Sequence, residues 1–330
     1  MLRQNKRNMG LRGLQEVSEQ SGGDMLTIVG IGEVLWDVYD GDKRLGGAPA
    51  NFALHVRQLG HDGIVVSRVG RDGLGQEILD SLGRMGSPIE YIQVDGEHPT
   101  GTVMVSLDVQ GRPTFSITPQ VAYDYLEYTE GLRTLAEKAD AVLFGSLSQR
   151  NQRTREAIWR FLGDARKALK VFDVNLRSWD PKTREVVRES LKVADILKLN
   201  DDELERMREL LGLPDEGTEG FLGRLMGEFH VRLVALTLGE RGCVLATPQE
   251  VLASPAFDIA PVDTTGSGDA FAAGLVVGFL EGKSLRETAD LANGLGGFVA
   301  TRKGAVPPYT LSEIDHFLRT TLRRRTFINL

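Results

Sequence analysis

Cysteine is all but absent: Cys243 is the only one in 330 residues. One thiol closes no intrachain disulfide, and this usage points to a reducing compartment, the cytoplasm. Long apolar runs are missing as well. The longest, Phe271 to Leu280, falls far short of the ~18 residues a membrane helix needs. No basic block stands out and the net charge is −7, which argues against a nucleic-acid partner. The five histidines, His55, His61, His98, His230 and His316, fall in no metal-ligand spacing such as His-Glu-x-x-His. Residues 1–24 mix charges, with Glu16, Glu19 and Asp24 among them, and contain no apolar core. They are no secretory signal and read as a disordered extension ahead of Met25. No repeat and no low-complexity linker divides residues 25–330, so they read as a single domain.

What is present is one concentrated stretch, Val262-Asp263-Thr264-Thr265-Gly266-Ser267-Gly268-Asp269-Ala270-Phe271. It reads as loop, glycine turn and helix. Glycines let backbone N–H groups approach a ligand without a side chain in the way. A helix start adds unpaired N–H groups and a positive dipole end. Gly266, Ser267 and Gly268 therefore read as an anion nest, with Asp269 beside it as a proton acceptor. That pairing suits transfer of a phosphoryl group to an alcohol. The alternative is that Asp269 caps the helix and the glycines only turn the chain. A carboxylate at a helix N-terminus should also be held ionised and so be a weak base. Asp269 is thus expected to orient the nucleophile first and take its proton second.

Earlier in the chain an apolar strand, Leu26 to Ile31, ends at Gly30-Ile31-Gly32-Glu33. Leu35 stands where a dinucleotide fingerprint needs its third glycine. Asp37 falls just past that strand, where open α/β sheets bind ligands, though a structural loop aspartate fits equally. Gly46-Gly47-Ala48-Pro49-Ala50-Asn51 opens a helical run to Gly60, with Pro49 suited to its first turn. From Thr100 to Ile117 the pattern turns to period two around Gln110-Gly111, a hairpin. Apolar strands recur near Ala141–Phe144, Val171–Val174, Ile196–Leu199 and Leu233–Leu238, with amphipathic segments between them. This alternation predicts a doubly wound, mostly parallel α/β sheet with helices on both faces. The hairpin is an excursion from it. Gly282-Lys283-Ser284 is no P-loop, since Val277 replaces the required glycine and the triplet follows a helix.

Asp-Thr-Thr-Gly-Ser-Gly-Asp-Ala-Phe resembles the C-terminal signature of the ribokinase-like (PfkB-type) sugar kinases. Gly-Gly-Ala-Pro-Ala-Asn with Gly-Glu-Val-Leu-Trp-Asp is most similar to fructokinases. The resemblance spans Leu26 to about Leu322, with the motifs in the family's order. It implies a ribokinase-like fold with the 100–117 hairpin as a small β lid, and ATP-dependent phosphorylation of a sugar, fructose first. By resemblance Gly266, Ser267 and Gly268 take the transferring phosphate and Asp269 is the base. Asp37, Gly46, Gly47, Asn51 and Arg177, the last from Asp173-Val174-Asn175-Leu176-Arg177, contact the sugar. Lys198, Asn200, Thr237, Gly239, Gly242 and Asn293 serve the nucleotide, with Lys303-Gly304-Ala305 flanking the adenine. Glu203, in Asn-x-x-Glu spacing from Asn200, positions Mg²⁺. A capping box would place Glu203 equally well. Asp263 and Thr265 match a monovalent-cation loop, so K⁺ is an allowed further cofactor, and a homodimer through the lid is an allowed assembly. The alternatives are a 2-keto-3-deoxygluconate kinase or, outside enzymes, a kinase-like binding or regulatory protein. A nucleoside kinase fits less well, without an aromatic base clamp near Gly46–Asn51.

Overall fold

The computed structural model describes residues 25–107, 113–212 and 217–323. The expected N-terminal extension and the Gln110-Gly111 turn lie outside the described residues. Nine strands form the main sheet: β1 (Thr27–Ile31), β4 (Asp62–Gly70), β5 (Ile92–Asp95), β8 (Ala141–Gly145), β9 (Leu169–Asp173), β10 (Ile196–Asn200), β11 (Leu233–Thr237), β12 (Gly242–Ala246) and β13 (Val251–Pro255), ordered β13-β12-β11-β10-β9-β8-β1-β4-β5. Pairing is parallel from β5 to β11 and antiparallel across β12 and β13.

The expected strands are all there, and their apolar runs have the physical reason anticipated. A parallel strand is covered on both faces. In β8, Ala141 and Leu143 face one core while Val142 and Phe144 face the other. The helices divide accordingly. One face packs α1 (Ala48–Gln58), α2 (Gly73–Arg84), α8 (Ser267–Leu280) and α9 (Leu285–Ala300). The other packs α3 (Glu130–Lys138), α4 (Gln152–Asp164), α5 (Pro181–Leu191), α6 (Asp201–Leu211) and α7 (Gly217–Phe229), and α10 (Leu311–Thr320) closes against α9. Helix α8 is apolar all round because it is buried all round. Its Gly274 lies against α9, where an added Cβ would come within 2.9 Å of the Ala292 backbone. Gly282-Lys283-Ser284 joins α8 to α9, and Ser284 N-caps α9 in a capping box with Glu287.

The lid is larger than the sequence suggests. It has four strands in the order β3-β2-β6-β7: β2 (Leu35–Tyr39), β3 (Asp42–Gly46), β6 (Thr102–Leu107) and β7 (Pro113–Ile117). Asp37 is therefore not in a loop past β1. It sits mid-strand in the lid, opposite Arg44 on β3 and Val103 on β6. Among the described residues no helix is long and apolar enough to cross a membrane.

Candidate active site

The turn into α8 is built as its glycines require. Gly266 adopts φ 76°, is the N-cap, and receives no side-chain capping bond. A Cβ there would run into the backbone of Ala305, so the position suits glycine on conformation and on space. Asp269 does not cap the helix. Its Oδ2 accepts a hydrogen bond of 2.8 Å from Asn51 Nδ2 on α1. One donor expected of the nest is already engaged. The Ser267 N–H is used inside the turn, donating to Thr264 O at 3.2 Å, and the buried Ser267 hydroxyl is left without a partner. Asn51 Oδ1 is orphaned in the same way. Buried polar atoms are rarely left so; one belongs to the residue bonded to Asp269 and the other to the residue two before it.

The expectation for Asp269 itself is reversed. It keeps some surface toward the cleft, but protein surrounds the carboxyl otherwise, and lost hydration pushes its pKa up to about 7 despite Lys198 and Asn51. Burial outweighs the helix terminus. The group is therefore matched to proton transfer near neutral pH.

Lys198 lies directly beneath the nest. Its Nζ is 3.3 Å from where a Cβ of Gly268 would stand, and it donates to both oxygens of Asp173 at 3.0 and 2.9 Å. Burial works against this ammonium, but Asp173, Glu203 and Asp269 hold it charged. Asp173, from the stretch in which only Arg177 carried an expected role, is thus the fixed counter-ion of the site's central cation. Asn200 and Glu203 do form a capping box on α6: Asn200 Oδ1 accepts from Glu203 N at 2.8 Å and Glu203 Oε2 accepts from Asn200 N at 2.9 Å. Glu203 Oε1 also takes the Leu176 N–H at 2.8 Å. Each oxygen keeps a lone pair, so Glu203 fits a magnesium ion through water, as that ion prefers. Among the described residues no three His, Cys, Asp or Glu side chains gather to hold a metal.

In the lid, burial raises the Asp37 carboxyl to about 6 against the pull of Arg177 and Arg44. Gly46 has no side chain because the Asp37 carboxylate occupies that space, and a Cβ on Gly47 would strike the Glu33 backbone. The glycine pair first makes room for protein. Arg177 is exposed, and its charge reaches Glu33, Asp37 and Asp269. With Arg150 and Lys182 it lines a cavity of about 190 Å³ beside Ile117 of the lid.

Further sequence candidates lie at the end of β11, in the turn after it, at the start of β12 and on α9. Thr237 Oγ1 donates to Leu199 O at 3.3 Å, and Gly239 turns the chain at φ 56°. Gly242 has a packing reason, since a Cβ there would hit Ser254 and Pro255 of β13. Asn293 is buried and donates to Ser254 at 3.2 Å, so its amide serves the join of α9 to β13. Asp263 does not offer the free carboxylate a monovalent-cation site asks for. Its Oδ2 takes Arg44 Nη1 at 2.6 Å and the Gly304 N–H at 3.0 Å, and its Oδ1 takes the Thr265 N–H at 3.0 Å. A cation drawn to that oxygen would face the guanidinium. Like charges about 4 Å apart repel by ~4 kcal/mol at an effective dielectric of about 20. The Asp263 carboxylate, held by the guanidinium, does not fit the ion. Arg44 escaped the sequence reading because its partner is 219 residues away.

With this geometry in place, likeness to known proteins is specific. The model of the pfkB family of carbohydrate kinases matches residues 29–311. An uncharacterized sugar kinase of Pyrococcus horikoshii, PH1459, is 33% identical over 297 residues, covering 84% of this chain and 91% of that protein. Its structure in complex with ATP superposes with a TM-score of 0.76 over 88% of this chain and 99% of the other. The ATP-dependent 6-phosphofructokinase of Thermoanaerobacterium thermosaccharolyticum is 30% identical over 312 residues, 88% of this chain and 92% of that protein. A double mutant of Vibrio cholerae fructokinase, solved with fructose, ADP and a potassium ion, is 26% identical with a TM-score of 0.77, covering 89% of this chain and 98% of that one.

Proposed function

This chain belongs to the pfkB family of carbohydrate kinases, and from that premise we propose that it transfers the γ-phosphoryl group of ATP to a hydroxyl of fructose. The observation that carries the reading is the 2.8 Å contact between Asn51 Nδ2 and Asp269 Oδ2. It ties a sugar-side amide to the acceptor of the hydroxyl proton, and it leaves Asn51 Oδ1, like Ser267 Oγ, without a protein partner.

Asp37 and Asn51 hold sugar hydroxyls, and the one nearest Asp269 gives up its proton to that carboxylate as the oxygen attacks. The Gly268 and Asp269 amides of α8, the Ser267 hydroxyl and the Lys198 ammonium face the charge that spreads over the transferring group. Holding both reactants in line replaces a bimolecular encounter by a positioned one. When bound, Mg²⁺ neutralises charge on the nucleotide phosphates, and Glu203 would hold it through water. Closing the lid strands over the sugar keeps water from competing for the phosphoryl group.

A second reading, a kinase of an acidic sugar such as 2-keto-3-deoxygluconate, is favoured by one observation. Exposed Arg177 and Lys182 line the cavity that adjoins the sugar side. The test is an ATP-coupled assay over fructose, ribose, glucose, ketodeoxygluconate and fructose 6-phosphate. Fructose should give the highest kcat/KM. A preference for either anionic sugar sinks fructose as substrate, and no ATP consumption with any sugar favours the binding-protein alternative.

A further inference from the structure

Two residues of the lid reach across to the loop that enters the nest. Arg44 on β3 donates from Nη1 to Asp263 Oδ2 at 2.6 Å, and the Tyr39 hydroxyl on β2 lies near the Thr265 side chain. The two residues also support each other, the Arg44 guanidinium lying over the Tyr39 ring at 4.7 Å from its centroid. Stacking on an aromatic face orders a guanidinium at little further cost. The pair is half-sheltered, with side-chain exposures of 32% for Arg44 and 14% for Asp263, so bulk solvent screens it only in part. On its own strand pair Arg44 stands opposite Asp37, the sugar-side carboxylate. Three residues beyond Asp263 comes Gly266, and then the first turn of α8 with Asp269.

We infer that Arg44 is a positioning residue: it supplies from the lid the counter-charge of Asp263 that a monovalent cation would otherwise provide, and so fixes the 263–266 loop and the nest behind it. Three donors converge on Asp263, and two of them, the Gly304 and Thr265 N–H groups, come from the loop and its neighbour. Arg44 is the only one of these donors that belongs to the lid. Opening the lid therefore withdraws the charge that holds the loop, and closing it over a sugar restores the loop. Sugar binding and nest formation become one event, without a dissociable ion. The inference rests on the phosphotransferase reading of the nest and is independent of which sugar is used.

The experiment compares the full-length parent, Arg44→Gln and Arg44→Lys at constant ionic strength, replacing tetramethylammonium chloride by KCl. Two readouts are taken: hydrogen exchange of the 263–269 segment with saturating sugar and no ATP, and kcat with the best sugar. In the parent both should change less than about twofold with KCl. In Arg44→Gln the segment should exchange at least fivefold faster and kcat should fall at least tenfold, both recovering with KCl. Arg44→Lys, which keeps a charge and covers the case of a misfolded Gln variant, should stay within about threefold of the parent. A parent that KCl activates strongly, or an Arg44→Gln protein whose exchange matches the parent or ignores KCl, overturns the inference. The exchange arm reads the latch even if no sugar consumes ATP, so failure of the kinase reading and failure of the latch are separable.

Discussion

Asp269 concentrates what one residue adds here. Its signature is plain in the sequence, but its acidity is not, because a helix terminus and a buried cleft wall push in opposite directions. Burial wins and the carboxyl titrates at about 7. Two consequences follow from that sign. The ionised form is the base, so kcat/KM for the sugar should rise with pH and level off above about 7, and Asp269→Asn should lower kcat by roughly 10²–10⁴-fold while calorimetry finds ATP binding kept. For stability, the folded-state pKa lies above the ordinary 3.8. The stabilisation linked to this proton is therefore complete below about pH 4 and lost as pH rises through about 7. Asp269→Asn should then resist urea better than the parent at pH 8, by on the order of 2–4 kcal/mol, with the difference vanishing near pH 4. A variant with parental kcat sinks the role of base. What sequence cannot supply at this scale is contact between distant residues. Asn51 meets Asp269 across 218 positions and Arg44 meets Asp263 across 219.

At the scale of elements, strands β8 to β11 were legible because a parallel strand buried on both faces reads as a bare apolar run. Strands β2 and β3 were not. Their sequences, LWDVY and DKRLG, carry charges within the strands, and no alternation marks them. Asp37 was consequently expected in a loop. Helix α6 shows the opposite situation, in which one spacing serves two purposes. Glu203 completes the capping box and also takes the Leu176 N–H, one bond per oxygen. Glutamine keeps the shape but offers a single acceptor, so Glu203→Gln leaves one buried N–H unpaired. The expected loss is about 1–3 kcal/mol, visible as a lower Tm. If Glu203 also holds magnesium through water, the Mg²⁺ concentration giving half-maximal rate should rise as well. A lower Tm with an unchanged Mg²⁺ titration would leave Glu203 a structural residue only.

Across the whole molecule, the two ends of the described chain are stitched together under the site, and the stitch is a histidine. His55 lies one turn after Asn51 on α1, fully buried, with Nε2 at 2.9 Å from Ala305 O and Nδ1 at 3.0 Å from the Tyr309 hydroxyl. A carbonyl can only accept, so Nε2 carries the proton and Nδ1 accepts from Tyr309. Ala305 in turn is the backbone against which Gly266 packs. Helix α1, the C-terminal segment and the turn at Gly266 thus share one neutral imidazole. Burial pushes its pKa down to about 4, although the bond to Ala305 works the other way. The sign is opposite to that of Asp269. The unfolded chain takes up this proton near pH 6.5, the folded one only near 4, so stability is full above about 6.5 and is lost as pH falls toward 4, by up to ~3 kcal/mol. Between pH 6.5 and 4.5 this loss runs against the gain from Asp269, which holds its proton in the folded state over the same range, so the contribution of His55 is read from the difference in urea unfolding between the parent and a variant. His55→Gln keeps a donor for Ala305 but cannot titrate, so its slope over that range should be smaller by close to one proton. An unchanged slope would assign the acid sensitivity to other groups and leave His55 a packing residue.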